Sequence, residues 1–335
     1  MAGTFNDLLK ATSRSFYLTL RVLPAAMRPQ TGLAYLLART TDTIADTELV
    51  SVQGRLDALE ALRARILGET GGVLDFGRLS LGCALPAEKA LLERVEEALR
   101  LLEQLPEADR RLIREVLRVI ISGQDLDLNR FAGAKAGAIA ALETEADLDD
   151  YTYRVAGCVG EFWTRICRLH LFPEARLDED LLLRTGVRFG KGLQLVNILR
   201  DIPSDLRKGR CYLPRQSLAA AGLSPADLLA PGNLPRFRPL YDQWLARAES
   251  HLAAGWDYTN ALPPGQFRLR LACAWPLLIG VRTLRRLRQE NILDYTRRVK
   301  VSRPEIRALI GRSVLLYPWP AAWRGQFDRE LGRKS

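Results

Sequence analysis

Two aspartates four positions apart, Asp201 and Asp205, end an apolar run in the segment LQLVNILRDIPSD (193–205). On a helix, residues at i and i+4 lie on one face, and two like charges there are unfavourable. A divalent cation bound by both carboxylates would offset that repulsion, because Mg²⁺ takes oxygen ligands and often lies between one or two carboxylates and a phosphate. With 39 acidic residues in 335, however, one such pair is usually a solvated surface feature and indicates no site by itself.

A second pair, Asp42 and Asp46 in DTIAD, repeats the same spacing on another predicted helix. Facing each other across a cavity, the two pairs could bind Mg²⁺ ions that keep coordination positions open for diphosphate oxygens. Arg39 lies one helical turn before Asp42, and Arg200 adjoins Asp201. Guanidinium groups and metal both stabilise the negative charge that develops when a C–O bond breaks and diphosphate leaves. The two pairs together therefore predict chemistry on a diphosphate.

Helices must position these side chains, because apolar residues recur at helical spacing through most of the chain and alternating β-branched runs are nearly absent. We expect an all-α protein with one domain over residues 1–335, since no linker is long enough to separate two domains. The clearest loop is APGNLP (230–235). The predicted helices cover residues 34–47, 51–67, 87–105, 106–128, 148–171, 178–202, 236–260 and 265–290.

Basic residues outnumber acidic ones by 49 to 39, which gives a net charge of +10. A charge of this sign suits nucleic acid, an anionic membrane surface or a phosphorylated small molecule as a partner. The sequence has neither zinc-finger spacing nor a basic recognition helix with interleaved aromatic residues, so no nucleic acid partner is expected. The five cysteines are odd in number and lack CxxC spacing, which is typical of reduced thiols in a cytosolic protein and predicts neither a disulfide nor a zinc site.

The chain shows no membrane-spanning pattern, because no uncharged apolar stretch reaches about 18 residues, and the N-terminal segment lacks the apolar core of a signal peptide. We therefore expect a cytoplasmic protein, with peripheral contact at the inner membrane face left open. The candidate contact is VLLYPWPAAW (314–323), where Tyr317, Trp319 and Trp323 are aromatic residues of the kind found at membrane interfaces. The favoured interpretation of this segment is a helix end followed by a proline-broken loop that packs on the body of the protein.

Five sequence motifs follow one another along the chain: SRSFYLTLRVLP (13–24), YLLARTTDTIAD (35–46), YTYRVAGCVGE (151–161), GLQLVNILRDIPSDLRKGRCYLP (192–214) and ACAWP (272–276). In sequence and in order they resemble the motifs of the squalene and phytoene synthase family, the head-to-head prenyl transferases. The resemblance covers nearly the whole chain. It implies a single α-helical bundle of the isoprenoid synthase type, which encloses a deep apolar cavity with both acidic pairs at its mouth.

The same resemblance implies roles for individual residues. The Mg²⁺–diphosphate ligands are Asp42, Asp46, Asp201 and Asp205, with Asn197 as a further candidate. The diphosphate clamps are Arg14, Arg39, Arg200 and Arg210, and the substrate channel is lined by Ser13, Ser15, Phe16, Tyr35, Val159, Trp163, Leu193 and Gln194. Tyr151 matches a family tyrosine of the first half-reaction. We favour stabilisation of a carbocation by its aromatic face, because a phenol with a pKa of about 10 is a poor base at neutral pH.

The reaction that the resemblance implies has two halves. Two farnesyl diphosphates first give a cyclopropylcarbinyl diphosphate, presqualene diphosphate, which squalene synthases then reduce with NADPH. Three segments favour this reductive branch: DTIAD, CAWP (273–276) and RVKVSRPE (298–305). The last makes Lys300 and Arg303 the candidates for binding the NADPH phosphates, with Lys208 as a weaker third. We therefore expect a bacterial squalene synthase that uses farnesyl diphosphate, Mg²⁺ and NADPH.

Other outcomes are open. Ala272 stands where squalene synthases usually have Phe, and the segment YTYRVAGCVGE is at least as close to bacterial carotenoid and hopanoid relatives. The enzyme could therefore stop at presqualene diphosphate, or lose a proton to give dehydrosqualene or, from geranylgeranyl diphosphate, phytoene. A non-enzymatic alternative is a helical scaffold or a protein that binds prenyl diphosphates without turnover. Release of pyrophosphate from farnesyl diphosphate in the presence of Mg²⁺ distinguishes an enzyme from a scaffold.

Overall fold

The chain folds mainly into α-helices in the computed structural model, which describes residues 2–12, 16–83, 85–135 and 137–333, and only the backbone of residues 2–6, 16 and 17. The first helices are α1 (Ala2–Thr12), α2 (Phe16–Val22), α3 (Arg28–Asp46), α4 (Val52–Leu67), α5 (Gly77–Leu81), α6 (Pro86–Glu93), α7 (Val95–Glu103) and α8 (Glu107–Arg130). After them come β1 (Ala140–Ala141), α9 (Glu145–Thr152), α10 (Cys158–Leu171), α11 (Glu179–Arg207), β2 (Arg210–Cys211), α12 (Arg215–Ala220), α13 (Leu234–Ala261), α14 (Phe267–Leu287), α15 (Arg303–Leu316), α16 (Pro320–Arg324) and α17 (Gln326–Leu331). The predicted all-α fold is confirmed.

Two compact units emerge from the packing of this chain: residues 1–132 with 162–175, and residues 133–161 with 176–335. Helix α10 starts in the second unit and continues in the first. The organisation of residues 1–335 as one domain around an apolar cavity stays a prediction.

The core of the first unit includes α3 and α8. Helix α8 carries Glu107 and Asp109 in its first turn, where negative charge suits the positive end of the helix dipole. Ile113 and Leu117 on its apolar face are completely buried, and each such burial contributes about 1.5–3 kcal/mol. Gln124 lies two turns beyond Leu117 on the same face and is also buried. The helical periodicity predicts an apolar residue at this position, and the chain has a polar one.

One predicted helix, residues 87–105, is two helices in the structure. Helices α6 and α7 are separated at Arg94, whose φ of −110° and ψ of 16° are not helical. The two helices are fastened to different neighbours, because Glu88 of α6 pairs with α3 whereas Glu96 of α7 pairs with α4. The apolar spacing continues through the break, so the sequence pattern does not reveal it.

Glycines let the helices of the second unit approach closely. Helix α11 is 29 residues long, and a Cβ atom on its Gly190 would lie 2.1 Å from the carbonyl oxygen of Ala156. A Cβ atom on Gly160 of α10 would likewise lie 2.0 Å from the carbonyl oxygen of Gly186. Neither site can take a larger residue without moving backbone, so these glycines serve helix packing.

The predicted helix 148–171 is interrupted by one turn of π-helix. Helix α9 ends at Thr152, Tyr153–Gly157 form the π-helical turn, and α10 continues from Cys158. Such turns replace the α-helical hydrogen-bond pattern locally and are frequent at functional sites. This one lies within the YTYRVAG motif and places Ala156 against α11.

A short parallel ladder between β1 and β2 ties the end of α11 to the chain before α9. Gly209, with a φ of +79°, makes the turn out of α11. A Cβ atom there would lie 2.2 Å from the backbone nitrogen of Lys135, so the turn requires glycine. The loop predicted at 230–235 is shorter than expected, because Pro231–Asn233 form a 3₁₀ turn that leads directly into α13.

In the part of the chain that the structure describes, no helix is both long and apolar enough to cross a membrane. None of the five cysteines forms a disulfide in the described structure, and four of them are buried: Cys158, Cys167, Cys211 and Cys273.

Candidate functional site

The first acidic pair, Asp42 and Asp46, lies in the last turns of α3. Negative charge is unfavourable at this end of a helix, and the last turn of α3 contains no basic residue to offset it. About half of the Asp42 side chain is exposed, and Asp46 is exposed as well. The two acids therefore do not stabilise the end of α3. Residues that break a local rule of stability in this way are typical of a functional site.

Asp42 lies in a recess that is crowded by protein on one side and open to water on the other. The side-chain amide of Gln124 donates a hydrogen bond of 2.6 Å to Oδ1 of Asp42, and Nη1 of Arg39 lies 3.7 Å from Oδ2. The pKa of Asp42 is raised to about 6, because burial and the charge of Asp46 raise it more than Arg39 and Gln124 lower it. The repulsion between the two carboxylates is what a bound cation would relieve.

Arg39, a predicted diphosphate clamp, already has two acidic neighbours. Its Nη2 donates a hydrogen bond of 2.7 Å to Oε1 of Glu88 on α6, in addition to its contact with Asp42. Both side chains are mostly buried, with 23% of Arg39 and 21% of Glu88 exposed. Glu88 therefore fixes the guanidinium beside the acidic pair, a positioning role that the sequence did not indicate.

The second acidic pair, Asp201 and Asp205, lies near the C-terminal end of α11. Asn197 precedes Asp201 by four residues and is exposed, so the three side chains form one stripe along the helix. Pro203 lies between the two acids and has no N–H to donate to the carbonyl of Leu199. The hydroxyl of Tyr241, from α13, donates a hydrogen bond of 3.1 Å to that carbonyl. Tyr241 thereby pairs with the carbonyl that Pro203 leaves without its helical donor.

Two arginines lie beside Asp201. Arg200 donates hydrogen bonds to both carboxylate oxygens, at 2.9 and 2.5 Å, and Nη2 of Arg298 lies 3.9 Å from Oδ1. Arg298 belongs to the segment between α14 and α15. Another contact of that segment lies nearby, since the guanidinium of Arg207 stacks 3.5 Å above the ring of Tyr295. The end of α11 therefore combines carboxylates with several cations that could bind an anion.

Tyr151, the predicted cation-stabilising residue, is buried and stacks on Tyr212, with ring centroids 4.8 Å apart. The stack joins the segment YTYR to the segment RCYLP. Arg210, a predicted clamp, belongs to β2, two residues before Tyr212. A pair of aromatic rings offers negative π-faces on which a carbocation can be stabilised.

The structure gives the contacts and exposure of several predicted channel residues, and their role in a channel stays a prediction. The hydroxyl of Tyr35 donates a hydrogen bond of 3.1 Å to the carbonyl of Thr12, so it fastens α3 to α1. Val159 is 37% exposed, and Trp163 is partly buried with no hydrogen-bond partner for its Nε1 in the described structure. Leu193 and Gln194 are partly buried on α11. Ser13, Arg14 and Ser15 lie outside the described residues, as does the side chain of Phe16.

The residues predicted to bind NADPH phosphates, Lys300, Arg303 and Lys208, are exposed. Arg286 of α14 donates a hydrogen bond to the carbonyl oxygen of Lys300 and pairs with Glu305 at 2.6 Å. These contacts hold the start of α15 against α14. They leave the cofactor role of the three cations as a prediction.

The donor set of the two pairs fits Mg²⁺ that is bound together with a substrate. No group of three or more His, Cys, Asp or Glu side chains converges among the described residues. Mg²⁺ usually keeps several waters and is bound through one or two carboxylates plus substrate phosphates, rather than by an all-protein cage. Pairs such as Asp42 with Asp46, and Asp201 with Asp205, match that preference.

Besides Glu88, the sequence did not indicate the roles of Gln124, Tyr241 and Arg298 at these pairs. Gln124 could have been found as the polar residue on the apolar face of α8, and Tyr241 pairs with a carbonyl freed by a proline in another helix. Arg298 was quoted only as the start of a cofactor segment. For Tyr241 and Arg298 the sequence contains no local signal, because each acts on a residue far away along the chain.

Comparisons with known proteins bear on the family of the chain. Residues 9–305 match the sequence profile of the family described as squalene/phytoene synthase. A presqualene diphosphate synthase of Zymomonas mobilis subsp. mobilis is 33% identical over 255 residues, which cover 76% of this chain and 74% of that protein. One of Rhodopseudomonas palustris is 32% identical over 257 residues, which cover 76% and 77%.

Similarity to solved structures confirms the fold. A ligand complex of TcSQS superposes with a TM-score of 0.78 at 23% sequence identity, over 98% of this chain and 90% of that one. The helical fold of the isoprenoid synthase type, which was expected from the sequence, is therefore confirmed.

Proposed function

The chain belongs to the squalene/phytoene synthase family, and on that premise we propose that it joins two farnesyl diphosphates head to head and releases presqualene diphosphate. The observation that carries this proposal is the similarity to two presqualene diphosphate synthases at 33% and 32% identity, each across about three quarters of both chains. The likeness to TcSQS, at 23% identity, bears on the fold alone. We therefore favour the branch without reduction over the squalene synthase expected from the sequence.

The proposed reaction begins when the C–O bond of one farnesyl diphosphate breaks, which gives diphosphate and an allylic cation. The double bond of the second molecule captures the cation, and loss of a proton closes the cyclopropane ring. The second molecule keeps its diphosphate. Bound Mg²⁺ would supply Lewis-acid stabilisation of the leaving diphosphate. Asp42, Asp46, Asp201 and Asp205 are the proposed ligands, with Asn197 as a further candidate.

The remaining proposed roles follow from charge and shape. Arg39, Arg200 and Arg298 lie beside the two acidic pairs and would stabilise negative charge on the expelled diphosphate. Tyr151 and Tyr212 would offer stacked aromatic faces to the carbocation. The prenyl tails need an apolar channel, because the burial of each CH₂ group contributes about 0.8 kcal/mol to binding.

A product assay tests the proposal. The purified protein is incubated with farnesyl diphosphate and Mg²⁺, with and without NADPH, and pyrophosphate and lipid products are measured. We expect one pyrophosphate for each presqualene diphosphate, in amounts that NADPH does not change. Squalene that forms only with NADPH would restore the reductive branch, with Lys300 and Arg303 as its cofactor candidates. Dehydrosqualene, or a preference for geranylgeranyl diphosphate, would indicate the carotenoid branch, and a lack of pyrophosphate would indicate a binding protein.

A further inference from the structure

An exposed apolar patch lies at the C-terminal end of the second unit. We call it the C-terminal patch and define it by Phe267, Val314, Leu315 and Trp319, which are 51%, 50%, 66% and 57% exposed. Val314 and Leu315 lie in the last turn of α15, and Trp319 follows between two prolines. Phe267 adjoins them through Tyr317, whose ring centroid lies 6.3 Å from its own. Large apolar residues scattered singly on a surface are normal, but a cluster of four is not.

The exposure of the C-terminal patch is not the result of a loose chain end. Beneath it, Trp323 is 2% exposed and packs on Tyr317 and Trp256, with ring centroids 4.9 and 5.2 Å away. Trp323 donates a hydrogen bond of 2.9 Å to Asn260, and Tyr317 donates one of 2.6 Å to the carbonyl of Pro264. The exposed residues therefore stand on a packed and hydrogen-bonded base. The sequence predicted that this segment packs on the body of the protein. Trp323 does so, whereas Trp319 is exposed.

The charges around the C-terminal patch are positive. Residues 303–333 contain six arginines and three acidic residues. Each acid faces an arginine: Glu305 lies 2.6 Å from Arg286, Glu330 lies 2.7 Å from Arg282, and Asp328 lies 3.7 Å from Arg333.

Positive charge is therefore left on the exposed face. Arg307 lies on the face of α15 that leads to Val314 and Leu315, and it is exposed with no acidic partner in the described part of the chain. Arg324 follows the patch and is exposed as well.

We propose that the C-terminal patch docks on the surface of an anionic phospholipid bilayer. Trp319 and Leu315 would enter the boundary between headgroups and acyl chains, where tryptophan is favoured. Arg307 and Arg324 would lie among the lipid phosphates, because the negative potential of an anionic bilayer attracts basic side chains. The combination of protruding apolar side chains with unpaired cations favours a charged bilayer over a second copy of the chain, which has the same positive charge. This inference goes beyond the proposed function, since docking needs no turnover.

Vesicle flotation of the full chain tests the proposal. Vesicles of phosphatidylcholine with phosphatidylglycerol should carry the protein upward, whereas vesicles of phosphatidylcholine alone should carry much less, and added salt should release it. Leu315→Ser and Trp319→Ser should each weaken binding about tenfold. Val73→Ser is the matched control, because Val73 is 84% exposed in the first unit and lies outside the C-terminal patch. Arg307→Glu should weaken binding to anionic vesicles, whereas Arg111→Glu, at a side chain that is 70% exposed on α8, should not.

Quenching of tryptophan fluorescence by brominated lipid gives a second measurement on the unaltered protein. We expect quenching that disappears in Trp319→Ser. Equal vesicle binding by the wild type and by the patch variants would overturn the proposal, as would binding that ignores lipid charge and salt. Light scattering tests whether a second copy of the chain binds the C-terminal patch instead. A dimer that dissociates in Trp319→Ser, in a protein that does not bind vesicles, would assign the patch to a second copy of the chain.

Discussion

Gln124 donates a hydrogen bond of 2.6 Å to Asp42, from a buried position on α8 to the acidic end of α3. The other amide atom, Oε1, is buried with no hydrogen-bond partner among the described residues. The amide is thus held between a crowded interior and one carboxylate oxygen. The hydrogen bond from Gln124 occupies Oδ1 of Asp42 and leaves Oδ2 for other contacts. Side chains that hydrogen-bond to a metal ligand commonly orient it in this way.

Replacement of Gln124 by Leu should therefore raise the Mg²⁺ concentration needed for half-maximal turnover by about tenfold or more, because loss of such a support typically costs 10–100-fold in metal affinity or activity. The measurement is a Mg²⁺ titration of pyrophosphate release. Gln53→Leu is the matched control, since Gln53 donates a similar hydrogen bond of 2.8 Å to Asp57 on the surface of the same unit. An unchanged Mg²⁺ requirement in Gln124→Leu would contradict the positioning role.

Asp42→Asn and Asp201→Asn should each reduce turnover by about 100-fold or more, because each removes a charged oxygen ligand. The fold should survive. For Asp42 the thermal midpoint should stay the same or rise at neutral pH, since its pKa of about 6 means that the folded state disfavours the ionised form there. Asp257→Asn, at an exposed position on α13, is the control and should behave as the wild type. Near-normal pyrophosphate release by either variant would refute the ligand assignment.

Tyr241→Phe should destabilise the protein by about 1–3 kcal/mol, because it leaves the buried carbonyl of Leu199 without a partner. In a Pro203→Ala background the cost should shrink, since the restored N–H of residue 203 can donate to that carbonyl. Denaturant unfolding of the two single variants and the double variant measures this coupling. Tyr295→Phe, at a side chain that is 59% exposed, controls for loss of a hydroxyl. Additive effects would show that the hydroxyl does not act on the proline site.

His251 should make stability depend on pH. The pKa of His251 is lowered to about 4 by burial together with the charges of Arg188, Arg247 and Lys191, against a smaller opposite effect of Asp149. The unfolded chain, with an ordinary pKa of about 6.5, then binds a proton that the folded chain does not. Stability should therefore fall as the pH falls from about 6.5 to about 4. In His251→Phe the loss of stability at low pH should be smaller. Thermal melts at several pH values measure it. Melting temperatures that fall equally with pH in the variant and in the wild type would refute the prediction.

The sequence was sufficient to predict the helical class and both acidic pairs, because helical spacing and a repeated four-residue interval are local properties. It could not predict the break at Arg94 or the π-turn at Tyr153–Gly157, since these depend on which neighbours each segment packs against. The contacts of Gln124 and Arg298 with the acidic pairs were missed for the same reason. The choice between chemical branches stays a proposal, because DTIAD and CAWP indicate reduction whereas two relatives of 33% and 32% identity are presqualene diphosphate synthases.

The central claim is that the two acidic pairs bind one diphosphate between them. A crystal structure with Mn²⁺ in place of Mg²⁺, and with an unreactive thio analogue of farnesyl diphosphate, tests it most directly through the anomalous signal of the metal. We predict metal ions on the analogue that are bound by Asp42 on one side and by Asp201 on the other. Carboxylates of Asp42 and Asp201 more than about 15 Å apart would contradict the claim, because each metal reaches its oxygen ligands at about 2 Å. A metal on one pair alone would contradict it as well.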